Sequence, residues 1–227
     1  MKKAFTLIEF IFVIVVIGII ATLALPKLNK NNLPKAAHQV VSHIRYAQHL
    51  AMIDDKFDSV TALIPGTDKG NWYNKRWRII FQNSNGTDNQ WSYTIFDDRI
   101  GNATGNVDQG EIAINPLNTN KLLSGGATGT SIVIGTDLEV TKELNIGIEY
   151  GVQDIDFTNC GGQTIAFDHL GRPLIGALSN YLTAYGSLLT TRCTIDLCTV
   201  NPCPAGSSTD KISIAIEPET GYTHIIP

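Results

Sequence analysis

From Phe5 to Leu25 the chain runs for about 21 residues with one charge among them, Glu9. As a helix rising 1.5 Å per residue this segment is about 31 Å long, the thickness of a bilayer's hydrocarbon core. Lys2 and Lys3 precede it, and the next cations come only after Pro26. The positive-inside rule then predicts a single pass with the N-terminus in the cytoplasm and the bulk of the chain outside. The alternative, a discarded secretory signal cut near Ala24-Leu25-Pro26, leaves Glu9 without a purpose. A carboxylate facing lipid one turn into an apolar helix costs about 2.5 kcal/mol or more, so it calls for a partner. No Lys, Arg or His follows it inside the segment, which leaves another molecule or a chain terminus to supply that partner.

The remaining two hundred or so residues bound the rest of the problem. A mean hydropathy near zero excludes a polytopic membrane protein and leaves one anchor plus one well-buried domain. The net charge is −4, and setting aside Lys2, Lys3 and Glu9 brings the part beyond Pro26 to −5. No broad cationic face for nucleic acid follows from that balance. Gly, Asn and Thr are spread through the middle and end, the composition of turn-rich β structure.

The segment Lys3-Ala4-Phe5-Thr6-Leu7-Ile8-Glu9 resembles the processing site of type IV prepilins and type II secretion pseudopilins. The resemblance implies residues 1–4 as a leader, cleavage between Ala4 and Phe5 by a prepilin peptidase, and N-methylation of Phe5. Residues 5–25 are then retained as a transmembrane and polymerisation helix. Glu9 takes the role of the family's acidic residue, which pairs with the N-terminal amine of a neighbouring subunit. Gly18 and Pro26 fall where such helices carry a glycine and a proline, the residues that loosen or kink a helix. The residue before the cut is usually Gly in that family, and here it is Ala4.

Residues 26–57 form the next block. After a polar interruption at Asn29-Lys30-Asn31-Asn32, Pro34 opens a second helix, and apolar residues recur at Ala37, Val40, Ile44, Ala47 and Ala51. This stripe predicts a helix over 35–57 with one face packed on a sheet. Residues 58–227 read as a β-rich head. Strands are predicted at 76–82, 90–97, 131–134, 164–168, 211–217 and 222–226. Asn85-Gly86 closes the first two into a hairpin, and Glu219-Thr220-Gly221 closes the last two. The fold class is therefore α+β, a long N-terminal helix packed on an antiparallel sheet. The Ala-rich helix, Trp72, Arg76 to Phe81, Ile165 to Pro173 and Ile212 to Gly221 together resemble the GspH/FimT-like minor pseudopilins. Stretches 101–129 and 180–208 do not align with that pattern and read as insertions.

Cys160, Cys193, Cys198 and Cys203 lie in the last third of the chain. An even number in an exported domain predicts disulfides, with three pairings open. Their spacing lacks the C-x2-C knuckle of a zinc site, and no His is interleaved. Disulfides there restrain what reads as a long loop. His38, His43 and His49 share a helix but not the three- or four-residue spacing of paired ligands.

No nucleophile and base arrangement for hydrolysis is present, and Asp168 and His169, adjacent on a strand, alternate faces. The residues Asp97, Asp98, Asp108 and Glu111, with Asn106 around Gly110, offer hard oxygen ligands to calcium, but their spacing departs from a calcium-binding loop. The expectation is a non-enzymatic subunit with no cofactor. It is placed in the inner membrane with its head in the periplasm, and reaches a pseudopilus when assembled. Its partners are other pilin or pseudopilin subunits, the prepilin peptidase/methyltransferase and the membrane, with no small-molecule substrate. Alternatives are a solitary membrane-anchored periplasmic binding protein, a minor pilin for DNA uptake, and a major pilin.

Overall fold

The computed structural model describes residues 7–28, 32–58, 72–99, 105–127, 132–176 and 183–226. The chain divides into two compact units, 1–32 and 33–227. In the first, helix α1 spans Leu7–Leu28, and so continues through Pro26 rather than ending at Leu25. A proline near the end of a helix forfeits one backbone hydrogen bond, which the final turn tolerates better than the interior would. Among the described residues no helix is long and apolar enough to cross a membrane. In α1 the side chains are described from residue 7 to residue 19. The membrane crossing expected of residues 5–25 is thus not a feature of the described structure.

The second unit is a helix seated on two antiparallel sheets, an α+β arrangement. Helix α2, Leu33–Ile53, buries Leu33, Ala36, Ala37, Val40, Val41, Ile44, Ala47 and Ala51. These residues follow one another at helical spacing, so one face is apolar and the other is left to water. Pro34 sits in the first turn, where its missing N–H is no loss. The helix stops at Ile53, a turn short of the predicted Phe57, and Asp54, Asp55 and Lys56 follow it.

The strands are β1 (Arg78–Asn83), β2 (Trp91–Phe96), β3 (Asp154–Thr158), β4 (Thr164–Phe167), β5 (Pro173–Ile175), β6 (Cys193–Cys198), β7 (Lys211–Ile216) and β8 (Thr223–Ile226). One sheet has the order β2-β1-β4-β5 and the other β3-β6-β7-β8. Register places like with like on the core faces. Ile79 pairs with Ile95 and Ile165, and Phe81 with Tyr93. In the other sheet Ile195 pairs with Phe157 and Ile214, and Leu197 with Ile155 and Ile212. Helix α2 lies against β1 and β4 of one sheet and β6, β7 and β8 of the other. Its stripe and both inner faces form one apolar core.

Both predicted hairpins are present. The β1–β2 turn contains a short 3-10 helix at Asn85–Thr87, after which Asp88 and Asn89 take left-handed conformations. Asn and Asp tolerate that region because their short polar side chains bond locally. The β7–β8 turn needs Gly221 at φ +64°, where a Cβ would lie 2.5 Å from the Gly171 carbonyl oxygen. The strand predicted at 131–134 is absent among its described residues. Instead Ile132 is buried in a small cluster with Phe96, Val107, Ile112, Ala127 and Val140, beside the edge of β2.

The described part of the 101–129 stretch lies along that edge. Ala113 donates to the Ile95 carbonyl, and Ile95 donates to the Leu123 carbonyl. A sheet edge left open is a template for unwanted pairing, and this segment closes it. A short helix α3, Ile146–Tyr150, is capped by Asn145, whose side chain accepts from the Ile148 amide.

The 180–208 stretch is not merely a loop. It contains β6, an interior strand of the second sheet. The four cysteines pair Cys160 with Cys193 and Cys198 with Cys203. The first bridge ties the segment after β3 to the start of β6, and the second clips the end of β6 to the chain that follows. The cysteines therefore staple both ends of a core strand.

The two bridges close spans of 33 and 5 residues in sequence. Loop-closure entropy scales with the logarithm of that span, so the longer bridge stabilises by about 1.5 kcal/mol more. Urea denaturation of the Cys160→Ser/Cys193→Ser and Cys198→Ser/Cys203→Ser variants is expected to show the first pair to be the costlier loss.

Candidate functional site

The residues singled out for processing, Ala4 and Phe5, lie outside the described residues. Glu9 lies in the first turn of α1, where a carboxylate complements the positive end of the helix dipole. It takes part in a polar or electrostatic interaction within the chain. Around it, Leu7, Ile8, Phe10, Ile11, Phe12, Val13, Ile14, Val15, Val16, Ile17 and Ile19 are all exposed. Gly18 has open space where a Cβ would stand. Apart from Glu9 and Gly18, this stretch of α1 is apolar all round.

In the second unit, Asp97, Asp98 and Glu111 are fully buried, and cations take their place among one another. Lys56 lies 2.7 Å from Asp97 and also pairs with Asp54. Arg99 lies 3.1 Å from Asp97, and Arg78 lies 3.3 Å from Asp98. The Gly105 amide donates to the same Asp98 oxygen at 2.6 Å. The Asp97 amide donates to the Glu111 carbonyl, and the Glu111 carboxylate accepts from the Asp108 amide at 3.3 Å. The calcium candidates thus do come together in part, but around lysine and arginine. Among the described residues no three acidic, His or Cys side chains are grouped to hold a metal ion.

Arg78 is the buried hub. It donates to the Asn74 and Arg76 carbonyls as well as to Asp98, and its guanidinium lies 5.4 Å from the Phe96 ring centre. Burial pushes its pKa down to about 10, against the pull of Asp98, so it stays charged at neutral pH. Burial likewise pushes the Asp98 carboxyl up, against the charge of Arg78. Sequence reasoning missed this pair. Its signal was the alternation that puts Arg78 in a strand among Ile79, Ile80 and Phe81, where a lone arginine needs an acid.

The histidines do not form a ligand set either. His43 Nδ1 lies 2.7 Å from the Tyr93 hydroxyl, and the Gln39 amide donates to that same hydroxyl and to the Glu143 carbonyl. The Tyr150 hydroxyl donates back to Gln39. Gln39 and His43 of this network line a cleft of about 460 Å³ bordered also by Ser42, Asn115, Asn118 and Lys121. Burial holds the His43 pKa below its ordinary value.

Asp168 serves a turn. Its carboxylate accepts from the amides of Leu170 and Arg172 and from Arg172 Nε. Three cations of the C-terminal part each face a carboxylate: Arg172 on Asp168 at 2.8 Å, Arg192 on Glu217 at 2.7 Å and Lys211 on Asp196 at 3.2 Å.

No protein-family model, curated protein or solved structure matches this chain.

Two outcomes follow from the buried groups. Asp98→Ala strands the Arg78 charge and is expected to cost about 3–5 kcal/mol in chemical denaturation, whereas Arg78→Met combined with Asp98→Leu costs less than that single change. His43 binds its proton less readily folded than unfolded. As pH falls through about 6.5 the unfolded chain gains a proton that the native state resists, and stability drops. Thermal melts between pH 7.5 and 5 are expected to show this fall, and His43→Gln to flatten it.

Proposed function

We propose that this protein is a minor pilin-like or pseudopilin-like subunit of a type II secretion or related pilus-type machine. It is cut between Ala4 and Phe5, methylated at Phe5, and polymerises through its N-terminal helix. Its function is structural, and its chemistry is that of assembly. The subunit waits in the inner membrane as a single pass with its head in the periplasm, then leaves the bilayer as its helix buries against those of neighbours.

The observation that carries this reading is α1 itself. From Leu7 to Ile19 its side chains are apolar on every side and exposed, with Glu9 and Gly18 the exceptions to the apolar character. A helix with no polar face finds its stable environment in lipid or among other apolar helices. The segment Lys3-Ala4-Phe5-Thr6-Leu7-Ile8-Glu9 adds the choice between these, because a permanent anchor has no use for a processing motif. In this reading the new amine at Phe5 meets the Glu9 carboxylate of an adjacent subunit and sets the axial register of the filament. The two disulfides agree with a head that folds in an oxidising compartment. A role in DNA uptake is disfavoured by the pairing of Arg172, Arg192 and Lys211 with carboxylates. Each would have to give up a partner to meet a phosphate.

Mass spectrometry of the mature protein is expected to find N-methylated Phe5 as the first residue; a chain beginning at Met1, or beyond Leu25, overturns the proposal. Glu9→Ala is expected to leave the head folded, as judged by its melting curve and disulfides, while removing the subunit from isolated filaments. Normal incorporation of that variant would be equally damaging.

A further inference from the structure

The hydrogen bonds around Tyr93 decide where His43 carries its proton. Tyr150 donates its hydroxyl proton to Gln39 Oε1 at 2.6 Å, which leaves Gln39 Nε2 to donate to the Tyr93 hydroxyl and the Glu143 carbonyl, at 2.8 and 2.7 Å. The Tyr93 oxygen thus accepts from Gln39, and its own proton is left for His43 Nδ1, 2.7 Å away. A neutral imidazole that accepts at Nδ1 carries its proton on Nε2. Burial keeps the ring in that neutral form, since it holds the His43 pKa below its ordinary value. Among the described residues Nε2 has no hydrogen-bond partner, and it is not buried.

His43 lines the cleft of about 460 Å³ between α2 and the turn over 115–121. Other groups on that lining also have hydrogen bonds left to give. Asn118 uses its side-chain oxygen to accept from the Asn120 amide, so its Nδ2 remains a donor. Lys121 Nζ donates to the Val140 carbonyl at 3.1 Å and keeps further N–H bonds. Ser42 adds an exposed hydroxyl from α2, and Glu143 a carboxylate. Leu117, 94% exposed, gives the rim an apolar flank. The charged side chains of the lining are Lys121 and Glu143, one of each sign, so donors and acceptors are offered without net charge.

We infer that this cleft binds a neutral saccharide of one or two rings, with His43 Nε2, Asn118 Nδ2 and Lys121 Nζ donating to its oxygens and Glu143 accepting from one of its hydroxyls. Donors and acceptors set side by side suit a hydroxyl group, which gives and takes at once. An anion would gain from Lys121 and lose to Glu143, and a cation the reverse. A wholly apolar molecule would strip water from these polar groups and leave them unpaired. The volume lies within the range of clefts that enclose small ligands.

The test uses the full chain in a polyoxyethylene-ether detergent, which has no sugar headgroup to compete. Maltose, cellobiose, lactose and N,N′-diacetylchitobiose are titrated calorimetrically, with lactobionate, glucosamine and glycine as charged and zwitterionic probes. At least one of the disaccharides is expected to bind at least tenfold more tightly than every charged or zwitterionic probe. Ser42→Leu, which fills the cleft from an exposed position, and Asn118→Ala are expected to lower that affinity at least tenfold while the melting curve is retained. Ser207→Leu, exposed beside the second sheet, is expected to leave it unchanged. Imidazole nitrogen NMR shifts read the His43 tautomer directly, and a ring protonated on Nδ1 overturns the wiring on which the site stands. No binding of any disaccharide by the unaltered chain overturns the site without reference to a variant. Tighter binding of a charged or zwitterionic probe overturns the neutral ligand, and saccharide affinity untouched by both cleft variants overturns the location.

Discussion

The seating of α2 on two sheets at once is the contact from which the rest of the head takes its shape. The helix surface that meets them mixes four alanines, Ala36, Ala37, Ala47 and Ala51, with Val40, Val41 and Ile44. Small residues let the strands come close, and the branched ones fill the space that remains. Polar side chains along the same helix then fix its rotation. Arg45 donates twice to the Thr223 carbonyl, at 3.1 and 2.7 Å. Gln48 donates to the carbonyls of Gly171 and Thr220, one from the turn beside each sheet. That bridging is possible because Gly171 and Gly221 present bare backbone there, and a Cβ on either would crowd the Gln48 amide. The two hairpin ends are held to each other through one glutamine.

Charge is buried in this head more freely than its small net charge suggests. Arg78 with Asp98, and Lys56 and Arg99 with Asp97, sit where β1 begins and β2 ends, beside the segment around Glu111. Such clusters add little net stability over an apolar filling, but their members cannot be removed singly without stranding a charge. They fix the path of the chain as it leaves β2, where hydrophobic residues alone would permit sliding. Of the residues that offered themselves as calcium ligands in the sequence, Asp97 is engaged by Lys56 and Arg99 and Asp98 by Arg78.

What was legible in the sequence follows the strength of local pattern. The α2 stripe and the strands holding Ile79, Ile95, Ile165 and Ile214 were visible because period and composition agreed. Both hairpins were visible because Asn85-Gly86 and Glu219-Thr220-Gly221 have few other uses. Strand β6 was missed although Cys193-Thr194-Ile195-Asp196-Leu197-Cys198 alternates cleanly, because its cysteines drew attention to a loop. Strand β3 was not among the predicted strands; Asp154 and Asp156 alternate along it with Ile155 and Phe157, so its apolar signal is short. The covering of β2 by residues around Ala113 and Leu123 has no local signature. It depends on a partner edge remote in sequence, as does the stacking of Arg76 and Arg172 on Tyr185. The cysteine pairing was open for the same reason, and only the adjacency of the β3 end to β6 decides it.

The two helices differ in what their surfaces demand. Among the described residues, the main apolar core of the second unit begins at Leu33. Helix α2 is polar on one side and satisfied on the other. Helix α1, as far as its side chains are described, has no side on which water is a good neighbour. A chain that spends some of its most hydrophobic residues outside its own core gains nothing from them as a monomer in water. Such a surface is stabilised by apolar surroundings rather than by water. Glu9 is the exception on that surface, and its place in the first turn sets its carboxylate against the positive end of the helix dipole.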